Sequence, residues 1–226
     1  MSKFLKLLLD WSEVWAPLIP LLFLLFKKNQ PRFLKPVMLY LVAAFFLNVA
    51  SDIIGDFKAY LPRWMQSNNP IYNVHSIIRF ICFSYFFIVL KQSSFTRLRY
   101  ILPNLSLLII IINFIYVEDF GNPDHLSGNL LSAEAYVLLI YCMLYYLAKI
   151  RDEVDDITSG ADFWIVTGLS IYVVVNFFVF LFYVPMINQD SKLADNMWNV
   201  HNIAYIILCI FITKAIYEPA RHQYSV

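Results

Sequence analysis

Seven apolar stretches, each about as long as a bilayer's hydrocarbon core is thick, decide what this chain can fold into. They run at about 8–27, 36–56, 71–90, 99–117, 129–149, 162–185 and 196–217. Hydrocarbon offers no water to the backbone, so every N–H and C=O in such a stretch must be bonded internally. A membrane barrel would meet that demand with short alternating strands, whereas these runs are continuous. The expectation is an all-α, polytopic membrane protein of seven helices, forming a single domain over residues 1–226. Composition agrees. Of 226 residues, 60% are apolar and only 15% are charged, against about a quarter charged in soluble domains. The mean hydropathy is +0.63. A net charge of +1 gives no basic face for nucleic acid. Cys82, Cys142 and Cys209 lie inside apolar runs and are expected to pack in the core rather than pair. Lys3 and Lys6 precede an apolar run with no small-residue cleavage site, so the start is not expected to be a cleavable signal. Phe4 and Leu5, beside those lysines, are expected at the membrane interface.

Charge sets the expected orientation. Lys27, Lys28, Arg32 and Lys35 follow the first segment, and Lys91, Arg97 and Arg99 follow the third. With Lys149, Arg151, Lys214 and Arg221, eleven cations fall on one side, against Lys3, Lys6, Lys58, Arg63 and Lys192 on the other. The richer side is expected to be cytoplasmic, with the N-terminus outside and the C-terminus inside at the cell membrane. Trp11, Trp15, Trp64, Trp164 and Trp198 fall at segment ends or in a loop, as an aromatic belt does. The acidic run Asp152, Glu153, Asp155, Asp156 and Asp162 then faces the cytoplasm and is expected to be a solvated connection. The tail after Tyr217 is too short for an effector domain, so a signalling role would need a separate cytoplasmic or membrane partner.

One short pattern occurs twice. Tyr72-Asn73-Val74-His75 opens the third segment and Trp198-Asn199-Val200-His201 the seventh. Glu13-Val14-Trp15 matches Glu134-Ala135-Tyr136, and Asn48 matches Asn176 more weakly. The fourth segment has no counterpart. The pattern predicts a repeat over about 8–90, a linker helix over about 99–117 and a second repeat over about 129–217. An odd linker makes the two triplets parallel, related by an axis along the membrane normal.

This layout resembles the PQ-loop and SWEET superfamily of small carriers, which share the three-plus-one-plus-three arrangement, an outside N-terminus and a similar length. The likeness is one of topology, and the Pro-Gln dipeptide itself is absent. The resemblance implies a solute pocket lined by an Asn on the third and seventh helices, which by position are Asn73 and Asn199.

The intramembrane polar residues gather by depth. Glu13, His75, Arg79, Glu134, Asn199, His201 and Asn202 lie in the first turns of descending segments, and Asn48, Asp52 and Asn176 in the later turns of ascending ones. All fall in the outer half. Ionisable groups at such depth face the bundle interior and are candidates for function. The expected ligand-binding set is therefore Asn73, His75, Arg79, Asn199, His201, Glu134, Asp52 and Asn176, around an outward pocket for a small polar or anionic solute. Set against this are plainer roles: Glu13 and Glu134 favouring helix N-termini, Asn73 and Asn199 as caps, the histidines as satisfied core residues. Arg79 fits a plain role least. An unpaired guanidinium there would be very costly, so Asp52, Glu134 or an anionic ligand should face it. Two histidines predict a response between about pH 5 and 8. No cofactor is expected. Two glutamates and two histidines on four helices give no metal-spacing signature, and no metal ligand is assigned. Three classes follow: a solute carrier or binder, a seven-helix sensory module, and a membrane-embedded metal-dependent hydrolase, for which Ser51 beside Asp52 is the one suggestive pair.

Overall fold

The apolar stretches become helices that end where charge, asparagine or proline interrupts them. A computed structural model of the protein describes residues 3–27, 29–90, 97–116, 118, 126–151, 160–187, 189 and 191–218. Eight α-helices are described: α1 (Lys3–Asp10), α2 (Ser12–Phe26), α3 (Lys35–Phe57), α4 (Asn69–Val89), α5 (Leu98–Tyr116), α6 (Gly128–Arg151), α7 (Ala161–Ile187) and α8 (Ser191–Tyr217). No strand occurs among the described residues. Pro36 and Pro70 sit in the first turns of α3 and α4, where a missing N–H leaves no bond unmade. Ser127 caps α6, its Oγ accepting the N–H of Leu130 at 3.1 Å.

Five described helices are long and apolar enough to cross a membrane: Arg32–Tyr60 (which includes α3), Asn69–Val89, Gly128–Arg151, Ala161–Tyr183 and Lys192–Tyr217. The count is six if α1 and α2 form one bent span, and Tyr100–Tyr116 within α5 is a shorter apolar helix. The chain is thus a multi-pass membrane protein in contact with lipid. Its outward side chains agree: Leu39, Phe46, Ile111, Ile115, Phe178 and Ile210 are all exposed on the bundle.

The expected first segment, one helix over about 8–27, is instead broken at Trp11 by a 68° bend. The bend frees the carbonyls of Leu8 and Leu9, which side chains then bond. Trp15 Nε1 donates to Leu8 O at 2.9 Å, and Asn202 Nδ2 donates to Leu9 O at 2.9 Å. Phe4, Leu7, Leu8 and Trp11 remain exposed on or beside α1, which suits a helix lying in the interface. One turn further on, Pro17 has no N–H to give the carbonyl of Glu13. Asn48 Nδ2 of α3 supplies the missing donor at 2.8 Å. In hydrocarbon such a substitute matters, because no water can take its place.

Six helices close a ring. Going round it, α2 packs on α3, α3 on α4, α4 on α6, α6 on α7, α7 on α8, and α8 returns to α2. Helix α5 lies outside the ring against α4 and α6, and α1 touches α8. Helices α2, α4, α6 and α8 start at one end, called here the motif end, and α3 and α7 finish there. Close approach of α7 and α8 depends on Gly168, where an added Cβ would stand 2.5 Å from Phe211 Cβ.

Below the motif end the interior is aromatic. Tyr40 and Phe83 meet at 5.0 Å between ring centres, and Phe87 stacks on Tyr141 at 5.0 Å and 6°. Lipid tails are as apolar as these side chains, so it is packing and polar contacts rather than water exclusion that hold the helices together. All three cysteines are buried and free. At the far end, Lys27 Nζ donates to the carbonyls of Tyr217 and Glu218 at 2.9 and 2.7 Å and closes the end of α8. Asp162, expected to be solvated, is buried there. It accepts from Tyr145 Oη at 2.9 Å and pairs with Lys149 Nζ at 3.0 Å. Lys149, one turn from the end of α6, reaches across to the first turn of α7 and draws that carboxylate inward. The other acidic residues of the run, Asp152, Glu153, Asp155 and Asp156, lie outside the described residues.

Candidate functional site

Two buried polar clusters face each other across the ring at the motif end. The first is built on Arg79 of α4. Its Nε donates to Glu134 Oε1 at 2.5 Å and its Nη2 to Glu134 Oε2 at 2.6 Å, a two-pronged pairing with α6. Nη1 donates to the Tyr172 hydroxyl of α7 at 2.6 Å, and the guanidinium lies 5.1 Å from the centre of that ring. Ser76, one turn before Arg79, adds a hydroxyl donated to Glu134 Oε2. Arg79 and Glu134 are 4% and 1% exposed, so this is a fully desolvated pair whose charges cancel. Of the two carboxylates open to Arg79 in the sequence, Glu134 is the one used. Asp52 is half-buried on α3, and its Oδ2 has no hydrogen-bond partner among the described residues.

The second cluster is built on His201 of α8. Nδ1 lies 2.5 Å from Asn176 Oδ1 and Nε2 lies 3.1 Å from Glu13 Oε1. Asn176 Nδ2 donates to the carbonyl of Tyr172 at 2.8 Å, which fixes its amide oxygen toward the imidazole. His201 Nδ1 must therefore carry a hydrogen. Its Nε2 faces the Glu13 carboxylate, and the two groups are placed to share one proton between Nε2 and Oε1. Tyr72 Oη donates to the other oxygen, Glu13 Oε2, at 3.1 Å. The imidazole is enclosed by Trp198, Phe180, Tyr172 and Tyr205, with ring centres 5.0 to 6.5 Å away.

His75 stands between the two. It stacks on Tyr40 at 5.8 Å and 21°, is 2% exposed, and its Nε2 is buried without a hydrogen-bond partner among the described residues. Asn73 does not face the cluster in the same way: its Oδ1 accepts the N–H of Ser127 at 3.1 Å and so ties α4 to the start of α6. Asn199 lies higher, in the wall of a cavity of about 330 Å³. That vestibule is lined by Lys6, Asp10, Asn68, Asn69, Asp195 and Asn199, with Tyr72 and Trp198 at its floor. Beneath the floor a chamber of about 10 Å³ touches Glu13, His75, Arg79 and His201.

The expected residues thus divide. Arg79, Glu134, His201 and Asn176 lie in the two clusters, and His75 borders the chamber between them. Asn199 lines the vestibule, Asn73 braces two helices, and Asp52 is apart from Arg79. Residues outside the expected set complete the arrangement: Tyr72, Ser76, Tyr172 and Trp198, together with Glu13 and Asn48. Helical spacing carried a signal for two of them, since Ser76 is three residues from Arg79 and Tyr172 four from Asn176. Among the described residues no three or more His, Cys, Asp or Glu side chains are grouped to hold a metal ion.

These features define a class: a multi-pass α-helical membrane protein with two polar clusters buried near one face. Compared with protein-family profiles, with curated proteins and with solved structures, the chain has no significant match.

Proposed function

We propose that this chain is a seven-helix membrane protein which binds a small polar solute from outside the cell in the vestibule above Tyr72 and Trp198. The observation that carries this reading is the vestibule itself, a polar-walled space of about 330 Å³ opening at the end of the bundle where the ionisable residues gather. Its wall sets one ammonium, Lys6, against two carboxylates, Asp10 and Asp195, beside three asparagines. The guanidinium of Arg79 is already answered by Glu134, so the charge left to a solute favours one bearing an amino group.

Two findings support the finer layout. Helix α5 has 19 residues and would span about 28 Å at 1.5 Å per residue, close to the hydrocarbon thickness, with Ile101, Leu105, Leu108 and Ile112 exposed to lipid. The ring also maps onto itself when α2, α3 and α4 exchange with α6, α7 and α8, as a half-turn between parallel triplets requires. The same exchange pairs Glu13 with Glu134 and His75 with His201. With the cation-rich loops inside, the vestibule faces outward.

A second reading, a sensory module acting on a separate partner, is favoured by the lower half. The Phe87–Tyr141 stack and the tilted Tyr40–Phe83 contact fill the path a carried solute would take. Binding of amines, amino acids, sugars and organic anions to purified protein in lipid nanodiscs, followed by thermal stability and Trp198 fluorescence, tests the shared claim. An amino-bearing solute should raise the unfolding temperature of wild type and not of Asp195→Leu. No response in wild type to any of the four classes would overturn it. Uptake into vesicles then separates carrier from sensor.

A further inference from the structure

The chamber beneath Tyr72 and Trp198 is small, but one observation marks it as more than a packing gap. His75 borders it, and the Nε2 of that ring is buried with no partner among the described residues. An unsatisfied ring nitrogen is costly in a medium of low dielectric, and the chamber is bordered by groups able to relieve it. Arg79 has five N–H groups, of which three are engaged by Glu134 and Tyr172. Glu13 has lone pairs beyond those that meet His201 and Tyr72. A volume of about 10 Å³ is at the lower limit for holding one water, which needs two to four polar partners.

We propose that the chamber holds one water molecule, bound by His75 Nε2, a free N–H of Arg79 and the Glu13 carboxylate, and that this water relays a proton between the Glu13–His201 pair and His75. In the transfer the pair gives its shared proton to the water while the water gives one of its own to Nε2. The pair becomes an anion, His75 becomes an imidazolium, and the water is unchanged. The groups around His75 come from several sides: Tyr40 on α3, Arg79 and Tyr72 on its own helix, Glu13 on α2 and His201 on α8, with Glu134 on α6 held behind Arg79. Arg79 and Glu134 cancel, so the proton's position is decided between the two histidines and Glu13. Tyr72 and Trp198 line both vestibule and chamber and meet edge-on at 5.1 Å, so the relay lies directly beneath an aromatic floor. The inference stands whether or not the vestibule takes a solute.

The test is a ring-15N NMR titration of histidine-labelled protein in nanodiscs, with signals assigned by single substitution. His75 should show an exchange contact with a bound water, and the curves of His75 and His201 should share two midpoints, as coupled sites do. Glu13→Gln should leave His75 and His201 each with a single midpoint. Leu131→Phe fills the chamber from a wall that carries no titratable group, and should remove both the water contact and the coupling. Should Glu13→Gln fail to fold, Leu131→Phe alone decides. A His75 with no water contact in wild type, or one whose titration is the same in wild type and Leu131→Phe, would overturn the proposal.

Discussion

His75 and His201 open from the same short sequence pattern, yet one is saturated with partners and the other is not. His201 has Asn176 on one nitrogen and Glu13 on the other. His75 has an aromatic ring against its face and nothing on Nε2 among the described residues. The difference comes from the residue one turn further along each helix. After His75 that residue is Arg79, after His201 it is Tyr205. Arg79 takes both oxygens of Glu134, whereas Glu13 presents one oxygen to His201 and the other to Tyr72. A repeated motif therefore gives two unlike sites, one built on a histidine–carboxylate contact and one on an arginine–carboxylate ion pair.

The harshest way to break this comparison is to remove Glu134. Glu134→Leu leaves a buried guanidinium with only Tyr172 for company and should destabilise the protein by about 3–5 kcal/mol. Chemical unfolding in detergent would measure it. The double variant Arg79→Leu, Glu134→Leu should regain most of that loss, since replacing both members of a buried pair is close to neutral. A double variant no more stable than the single one would show that the pair is not what balances Arg79.

The second expected effect lies on the other side of the comparison. His201→Phe keeps the ring's volume among Trp198, Phe180 and Tyr205 but strands the Glu13 carboxylate and the Asn176 oxygen. Bonds to a charged group are worth about 1.5–3 kcal/mol each, and a loss in that range should appear in the same unfolding measurement. Next comes the support beneath Glu13. Asn48→Leu strands the carbonyl that Pro17 leaves unpaired, at about 1–3 kcal/mol. Pro17→Ala restores an N–H, so adding it to Asn48→Leu should recover part of the loss, whereas added to His201→Phe it should not.

Part of this was legible in the sequence. Helix positions followed from the runs, because a bilayer allows little else, and the ends of α3 to α7 fall close to those expected, whereas α8 begins at Ser191, more than a turn before the expected start. That Arg79 needs a carboxylate followed from its depth alone. Which carboxylate did not, because Asp52 and Glu134 stand at similar depth and only the ring order α3–α4–α6 sets their facing. The bend at Trp11 falls in the polar stretch Asp10-Trp11-Ser12-Glu13, but the apolar residues on both sides of it read as one continuous span. The bend is held by Asn202, distant in sequence. Asp162 was misplaced because it closes an acidic run, and the lysine that buries it is on the preceding helix. Equal motifs suggested equal roles for the histidines, since the motif stops before the position at which Arg79 and Tyr205 differ.

The mildest and most discriminating change is His75→Phe. The new ring keeps the stack on Tyr40, which rests on shape rather than on the nitrogens. Removing Nε2 deletes a buried polar atom that has no partner among the described residues, and a water bound to it can leave with it. The net change should stay within about 1 kcal/mol, because taking away both sides of a hydrogen bond is far cheaper than stranding one. The same substitution at His201 strands two acceptors and should be costlier. The gap between the two measurements is the energetic form of the comparison. If His75→Phe costs as much as His201→Phe, then His75 holds a direct protein bond of equal strength. The two sites would then be alike in energy as well as in sequence. If the gap is present in wild type but closes when Arg79→Leu, Glu134→Leu is the background, the unlike residue one turn below each histidine is its source.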